Sequence, residues 1–110
     1  MTELWHLAEG ADWAAATRTG SYERSTRGQS LAEVGFVHCS YPDQLAGVAA
    51  AFYADAGDLV LLRIDPAGVP AEIRVEGGFP HVYGPIPVAA VTAAEPLTRD
   101  ATGRLLLPDA

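Results

Sequence analysis

Three histidines, His6, His38 and His81, carry most of the chemistry this sequence offers at neutral pH, where imidazole alone titrates without perturbation. His38 and Ser40 stand two residues apart on a strand that runs into a helix, so strand alternation points both side chains the same way. The helix start behind Ser40 offers unpaired N–H groups and a positive dipole end. That junction is a candidate anion or nucleotide pocket. The alternative is Ser40 as a simple helix cap and His38 as a packed core residue. His81 lies in Phe79-Pro80-His81-Val82-Tyr83-Gly84, where proline fixes the backbone and flanking glycines allow tight entry and exit. If the segment is extended, His81 and Tyr83 share a face, and His81 becomes a candidate acid or base. The alternative is a proline-rich bend whose aromatics only pack.

Other groups supply binding rather than proton transfer. His6, on the first strand, is a donor for a ribose or phosphate if its face is open, and a structural histidine at a sheet edge if not. Arg24 and Arg27 lie in a hydroxyl-rich loop over residues 21–30 and form a candidate phosphate clamp. Tyr22 before them is placed to stack on a base. A solvated loop is the competing reading, since arginines are mostly exposed. Glu76 is the best-placed carboxylate for acid–base work, unless it is only an exposed strand end. Cys39 faces away from His38 by alternation and reads as a small buried hydrophobe. His38, His81 and Cys39 lack the spacing of a zinc site, so no metal is expected. The catalytic candidates are therefore His38 and His81. The ligand-binding candidates are His6, Tyr22, Arg24, Ser40 and Tyr83.

Positioning these groups requires strands and two main helices. Residues 4–8 alternate as a first strand, and the alanine-rich stretch 12–18 predicts a helix, with Gly20 as its C-cap. Residues 31–34 predict one helical turn closed by Gly35. Residues 36–39 form a strand with Phe36 and His38 on one face and Val37 and Cys39 on the other. A second helix is predicted over 44–53, capped by Ser40 with Asp43, its apolar stripe being Leu45, Val48, Ala49 and Phe52. Leu59–Ile64 is the strongest strand, and its near-continuous apolar run predicts a two-sided central position. Residues 71–76 alternate with Ile73 and Val75 inward, and Gly77-Gly78 ends them. Strands over 88–97 and 104–107 follow, joined by a turn at 100–103. Helices early and strands late give an α+β class rather than a βαβ repeat.

The chain has 110 residues, 49% of them hydrophobic, with seven Arg and no Lys against 14 acidic residues. That size and composition predict one domain over 1–110 with a real core. A net charge of −7 disfavours nucleic-acid polymers, and the absence of Lys removes Schiff-base and P-loop chemistry. One cysteine excludes an internal disulfide framework. No apolar run spans a bilayer, and the segment from Met1 to Trp5 carries an acid where a signal peptide carries a base, so the expected location is cytoplasmic. Oligomeric state is open.

Taken together, Trp13, Gly20 with Tyr22, Gly35-Phe36-Val37-His38-Cys39-Ser40, Gln44, the strand from Leu59, Val75-Glu76 and Phe79-Pro80-His81-Val82-Tyr83-Gly84-Pro85 resemble the bacterial domain of unknown function 952 family. The resemblance covers about residues 3–95. It implies a small version of the ADP-ribosyltransferase fold, with two roughly perpendicular antiparallel sheets and helices around a central cleft. In that fold NAD lies in the cleft, held by a first-strand His or Arg and a middle-strand Tyr or Ser, while a late Glu activates the ribose. His6 falls at the first of these positions. No Tyr stands in the middle motif, His81 occupies the region of the late Glu, and Glu76 precedes it. The expected function is binding of a small molecule, namely a nucleotide, an NAD- or ADP-ribose-like compound or another phosphorylated metabolite, with transferase or hydrolase chemistry by paired histidines. The alternative is a non-catalytic accessory module acting with a partner protein.

Overall fold

The computed structural model describes residues 2–25 and 27–108. Met1, named above in the N-terminal segment, and Thr26, within the hydroxyl-rich loop, lie outside the described residues. Strand β1 (Leu4–Glu9) leads into helix α1 (Gly10–Thr19). Gly20 ends that helix at φ 87°, a left-handed conformation that costs glycine nothing, and its N–H donates to the Ala16 carbonyl at 2.7 Å. Strand β2 (Ser21–Tyr22), the short helix α2 (Leu31–Val34) and strand β3 (Val37–His38) follow. Helix α3 is Leu45–Phe52, and the later strands are β4 (Leu59–Ile64), β5 (Ile73–Glu76), β6 (Phe79–Val82), β7 (Ile86–Pro87) and β8 (Val91–Pro96).

Among the described residues the strands form three antiparallel sheets, in orders β1-β4-β8, β2-β7 and β3-β6-β5. Strand β4 lies between β1 and β8, where its apolar run places it. The chain is thus α+β, with three sheets where two were expected. Trp5 and Ser40 exchange backbone bonds of 2.8 and 2.7 Å, which ties β1 to the end of β3.

The β1-β4 pair is buried on both faces. Leu4, Ala8, Leu62 and Ile64 pack with Ala16, Tyr22, Val37, Cys39, Val82 and Ile86. Trp5, Leu7, Leu59 and Leu61 pack against Leu45, Val48, Ala49 and Tyr53 of and just after α3. Period-two alternation therefore sends successive residues of β1 into two different cores.

Three expectations change. Ser40 does not cap the second helix. Its backbone is committed to Trp5, and a 3₁₀ turn (Pro42–Gln44) intervenes before α3. The Gln44 side chain accepts from the Tyr41 N–H instead, at 2.9 Å. Val75 is 59% exposed rather than inward, because β5 is an edge strand at that sheet's limit. The segment 104–107 returns through a single bridge, Arg99 to Leu105, rather than as a strand. Helix α2 carries a full capping box that the sequence reading passed over. Ser30 Oγ accepts from the Glu33 N–H at 3.2 Å, and Glu33 accepts from the Ser30 N–H at 2.9 Å.

Candidate functional site

The three-stranded β3-β6-β5 sheet sets two histidines side by side. His38 of β3 is directly opposite His81 of β6, and Arg74 of β5 is opposite His81 on the other side. Directly paired residues project to the same face of a sheet, and the two imidazole centroids are 5.1 Å apart. Alternation adds Phe36, Phe79 and Tyr83 to that face. Phe36 stacks on His81 at 4.1 Å between centroids and tilts against Tyr83 at 5.3 Å, while Phe79 lies 5.2 Å from His38. Val37, Cys39 and Val82 point the opposite way and are fully buried. Burial pushes the Cys39 thiol up to about 12, which leaves it without thiolate character at neutral pH.

Glu76, at the end of β5, organises the histidine and the phenol. His81 Nδ1–H donates to Glu76 Oε1 at 2.8 Å, and the Tyr83 hydroxyl donates to the same oxygen. A carboxylate only accepts, so this contact places the His81 proton on Nδ1 and leaves Nε2 as the lone-pair nitrogen of the neutral ring. The bond from Tyr83, and then that from His81, hold the Glu76 carboxyl below the usual carboxylate range, and the Tyr83 phenol is raised in turn. His38 is lowered, first by burial and then by the neighbouring His81. The Arg74 guanidinium lies over the Tyr83 ring at 4.6 Å and pairs with Glu72 at 2.9 Å. The face therefore offers an oriented imidazole, a second imidazole, an ionised carboxylate and one guanidinium, in partial contact with solvent.

Substitution Tyr83→Phe removes the first-named cause of the Glu76 shift. The Glu76 carboxyl is expected to rise toward the ordinary glutamate value, followed through its ¹³C chemical shift against pH. An unmoved titration would show that the phenol does not set the carboxylate.

The remaining predicted ligand residues lie elsewhere. His6 has no open face. It is 3% exposed, its Nδ1–H donates to the His38 carbonyl at 2.7 Å, and its Nε2 accepts from the Tyr22 hydroxyl at 2.9 Å. Burial lowers the His6 pKa to about 4, so the ring is neutral and its tautomer is fixed by the carbonyl. Tyr22 is 2% exposed rather than placed in a solvent loop, and burial, then the Asp12 charge, raises its phenol. Its ring meets His6 edge-on at 5.1 Å. Ser40 is buried at 3%. Arg24 and Arg27 do not form one clamp, because each faces its own carboxylate. Arg24 Nε is 3.5 Å from Asp12 and Arg27 Nη1 is 2.7 Å from Asp55.

The structure thus brings His38, His81 and Tyr83 together and sets His6, Tyr22, Arg24 and Ser40 apart from them. Glu76 is the residue the sequence undervalued. Its signal was the alternation of 72, 74 and 76 along β5, once β5 is known to pair with β6. Among the described residues no three His, Cys, Asp or Glu side chains are placed to hold a metal ion, and no helix is long and apolar enough to cross a membrane.

Residues 7–94 match the model of the family described as Protein of unknown function (DUF952). Among solved structures, the crystal structure of protein CC0527 from Caulobacter crescentus is similar, with a TM-score of 0.80, 32% identity, and coverage of 96% of this chain and 95% of that one. The solution NMR structure of CC0527 gives a TM-score of 0.71, 33% identity, and coverage of 94% and 90%. No curated protein matches the chain.

Proposed function

The chain belongs to the DUF952 family, and from that premise we propose that it binds a ribose-bearing small molecule, nucleotide- or NAD-like, on the exposed face of the β3-β6-β5 sheet, with His81 as its acid–base group. The observation that carries this reading is the 2.8 Å bond from His81 Nδ1 to Glu76, with His38 at 5.1 Å. A base whose far nitrogen is held by a carboxylate keeps its near nitrogen aimed outward, as catalytic bases are generally oriented. Nε2 of His81 would take the proton of an attacking water or hydroxyl and return it to a leaving oxygen, which suits transfer or hydrolysis at a ribose or phosphate. The Glu76 carboxylate is the type of group that accepts a ribose hydroxyl. Arg74 is the guanidinium nearest to hand for a phosphate.

An ADP-ribosyltransferase-like fold, with NAD as substrate or ligand, belongs to this proposal. The buried His6 gives it a different form from a first-strand histidine that touches NAD. Here His6 acts from beneath, through the His38 backbone, and the outward contacts fall to His38, His81, Tyr83 and Glu76.

Titration with NAD and ADP-ribose, followed through the His38 and His81 ring resonances, is expected to move both at millimolar ligand. His38→Ala and His81→Ala are each expected to abolish turnover of a processed ligand with thermal stability retained, because neither ring belongs to the fully buried core. Still rings at millimolar ligand overturn the reading and favour an accessory module that works through a protein partner. A drop of several degrees in melting temperature in both variants would assign the histidines to packing.

A further inference from the structure

The Tyr83 ring belongs to two surroundings at once. Its hydroxyl is held by Glu76 and one face is covered by Arg74. The same residue lines a cleft of about 460 Å³ with Pro70, Ala71, Gly84, Pro85 and Pro87, a volume in the ordinary range for small-molecule sites. Among the described residues none that lines this cleft is charged, and of them only Ser21 and Tyr83 carry a polar side-chain group, a hydroxyl each. Three proline rings give walls with fixed φ and no rotamer freedom to lose. Gly84 lets Ala71 approach closely at the cleft wall, since a Cβ there would meet the Ala71 Cβ at 2.7 Å and push that wall aside.

We infer, building on the sheet-face reading above, that this cleft takes the uncharged planar ring of the same ligand, a nucleobase-class heterocycle, while the hydroxyl-bearing part passes Tyr83 to reach Glu76 and His81. A charged group would lose its hydration in the cleft with nothing to pair with. A flat apolar ring gains burial against the prolines and contact with a tyrosine already fixed at both its hydroxyl and one face. The two hydroxyls suffice to orient such a ring, as few polar groups do in most ligand sites. Phosphates stay outside, on a protein of charge −7 whose cleft is lined by no cationic side chain among the described residues.

The test uses adenosine and ribose 5-phosphate as separate probes of the whole chain, following the Ala71 methyl, the Gly84 amide and the two imidazoles by NMR. Adenosine is expected to move both sets, and ribose 5-phosphate the imidazoles alone. Gly84 is not among the glycines with positive φ, so Gly84→Ala carries no left-handed backbone penalty and acts by displacing Ala71. It is expected to weaken adenosine about tenfold, the scale of a modest steric misfit, and leave ribose 5-phosphate unchanged. Ala71→Gly in the same chain is expected to restore adenosine by returning the space. If adenosine moves the imidazoles with Ala71 and Gly84 silent, or binds Gly84→Ala as it binds the parent, the cleft inference falls and the sheet-face reading stands. If adenosine moves Ala71 and Gly84 with the imidazoles still, the cleft keeps its ring and the sheet-face reading falls. Silence everywhere overturns both. Should Gly84→Ala fail to fold, the Ala71 shift in the parent decides.

Discussion

His6→Ala will destabilise the protein by about 4 kcal/mol or more, on the scale of a deleted buried ring plus unpaired polar groups. The ring is 3% exposed and satisfied at both nitrogens, by the His38 carbonyl at 2.7 Å and the Tyr22 hydroxyl at 2.9 Å. Alanine removes the ring and leaves a cavity beside Tyr22. It also strands a buried hydroxyl and a carbonyl, each costing roughly 1–3 kcal/mol when left unpaired. Against a typical total of about 5–15 kcal/mol, that loss is near the whole margin. Urea unfolding monitored by tryptophan fluorescence measures it directly. Tyr22→Phe keeps the ring volume and strands only the His6 Nε2, so its cost should be smaller, about 1–2 kcal/mol. A His6→Ala midpoint within error of the parent would mean that the buried pair does not hold the fold. The effect reaches the proposed site as well. The carbonyl that His6 holds belongs to His38, so the imidazole on the exposed face is anchored from below by one in the core.

Much of this arrangement was legible in the sequence because it follows from alternation. Residues 36–39 sort correctly onto two faces: Phe36 and His38 meet His81 and Phe79, while Val37 and Cys39 are fully buried. The pairing of His81 with Tyr83 on one face has the same origin, as does the central place of β4. What alternation does not contain is the partner strand. Glu76 reads as a strand end until β5 is laid beside β6. Val75 reads as inward until β5 proves to be an edge. Tyr22 reads as a loop residue because its neighbours are polar, yet the two-residue β2 pairs with β7 and turns it under the sheet toward His6. Ser40 reads as a cap because the helix signal follows it, but its backbone groups had a stronger claim on them from Trp5. In each case a contact between residues far apart in sequence outweighed a sound local preference.

Acid will destabilise the protein between pH 6.5 and pH 4, by about 3 kcal/mol from His6 alone, given 1.36 kcal/mol per unit of pKa difference. In the unfolded chain His6 has its ordinary value of 6.5, and in the folded protein burial lowers it to about 4. Above pH 6.5 the ring is neutral in both states and the protein carries its full stability. Between 6.5 and 4 the unfolded chain binds a proton that the folded one refuses, so stability falls with every step down in pH. Below about 4 both states bind it and this contribution stops changing. His38 is lowered for the same first reason, burial, and adds to the fall below 6.5. Glu76, Glu33 and Asp55, all held low by their hydrogen bonds, add a further loss as pH drops through their folded values. Urea midpoints at pH 7.5, 6.5, 5.5 and 4.5 trace the curve. His6→Gln, which retains a donor and an acceptor without titrating, should flatten most of the slope above pH 4.5 and leave the smaller contribution of His38. A parent curve level from 6.5 to 4.5, or a variant with the parent's slope, would refute the assignment. The same physics bears on the proposed chemistry. The proton that His6 must not take is excluded by the core that fixes its tautomer, so His6 keeps donating to the His38 carbonyl at neutral pH. In the proposed site the acid–base role then falls to His81, whose Nδ1–H the Glu76 carboxylate receives.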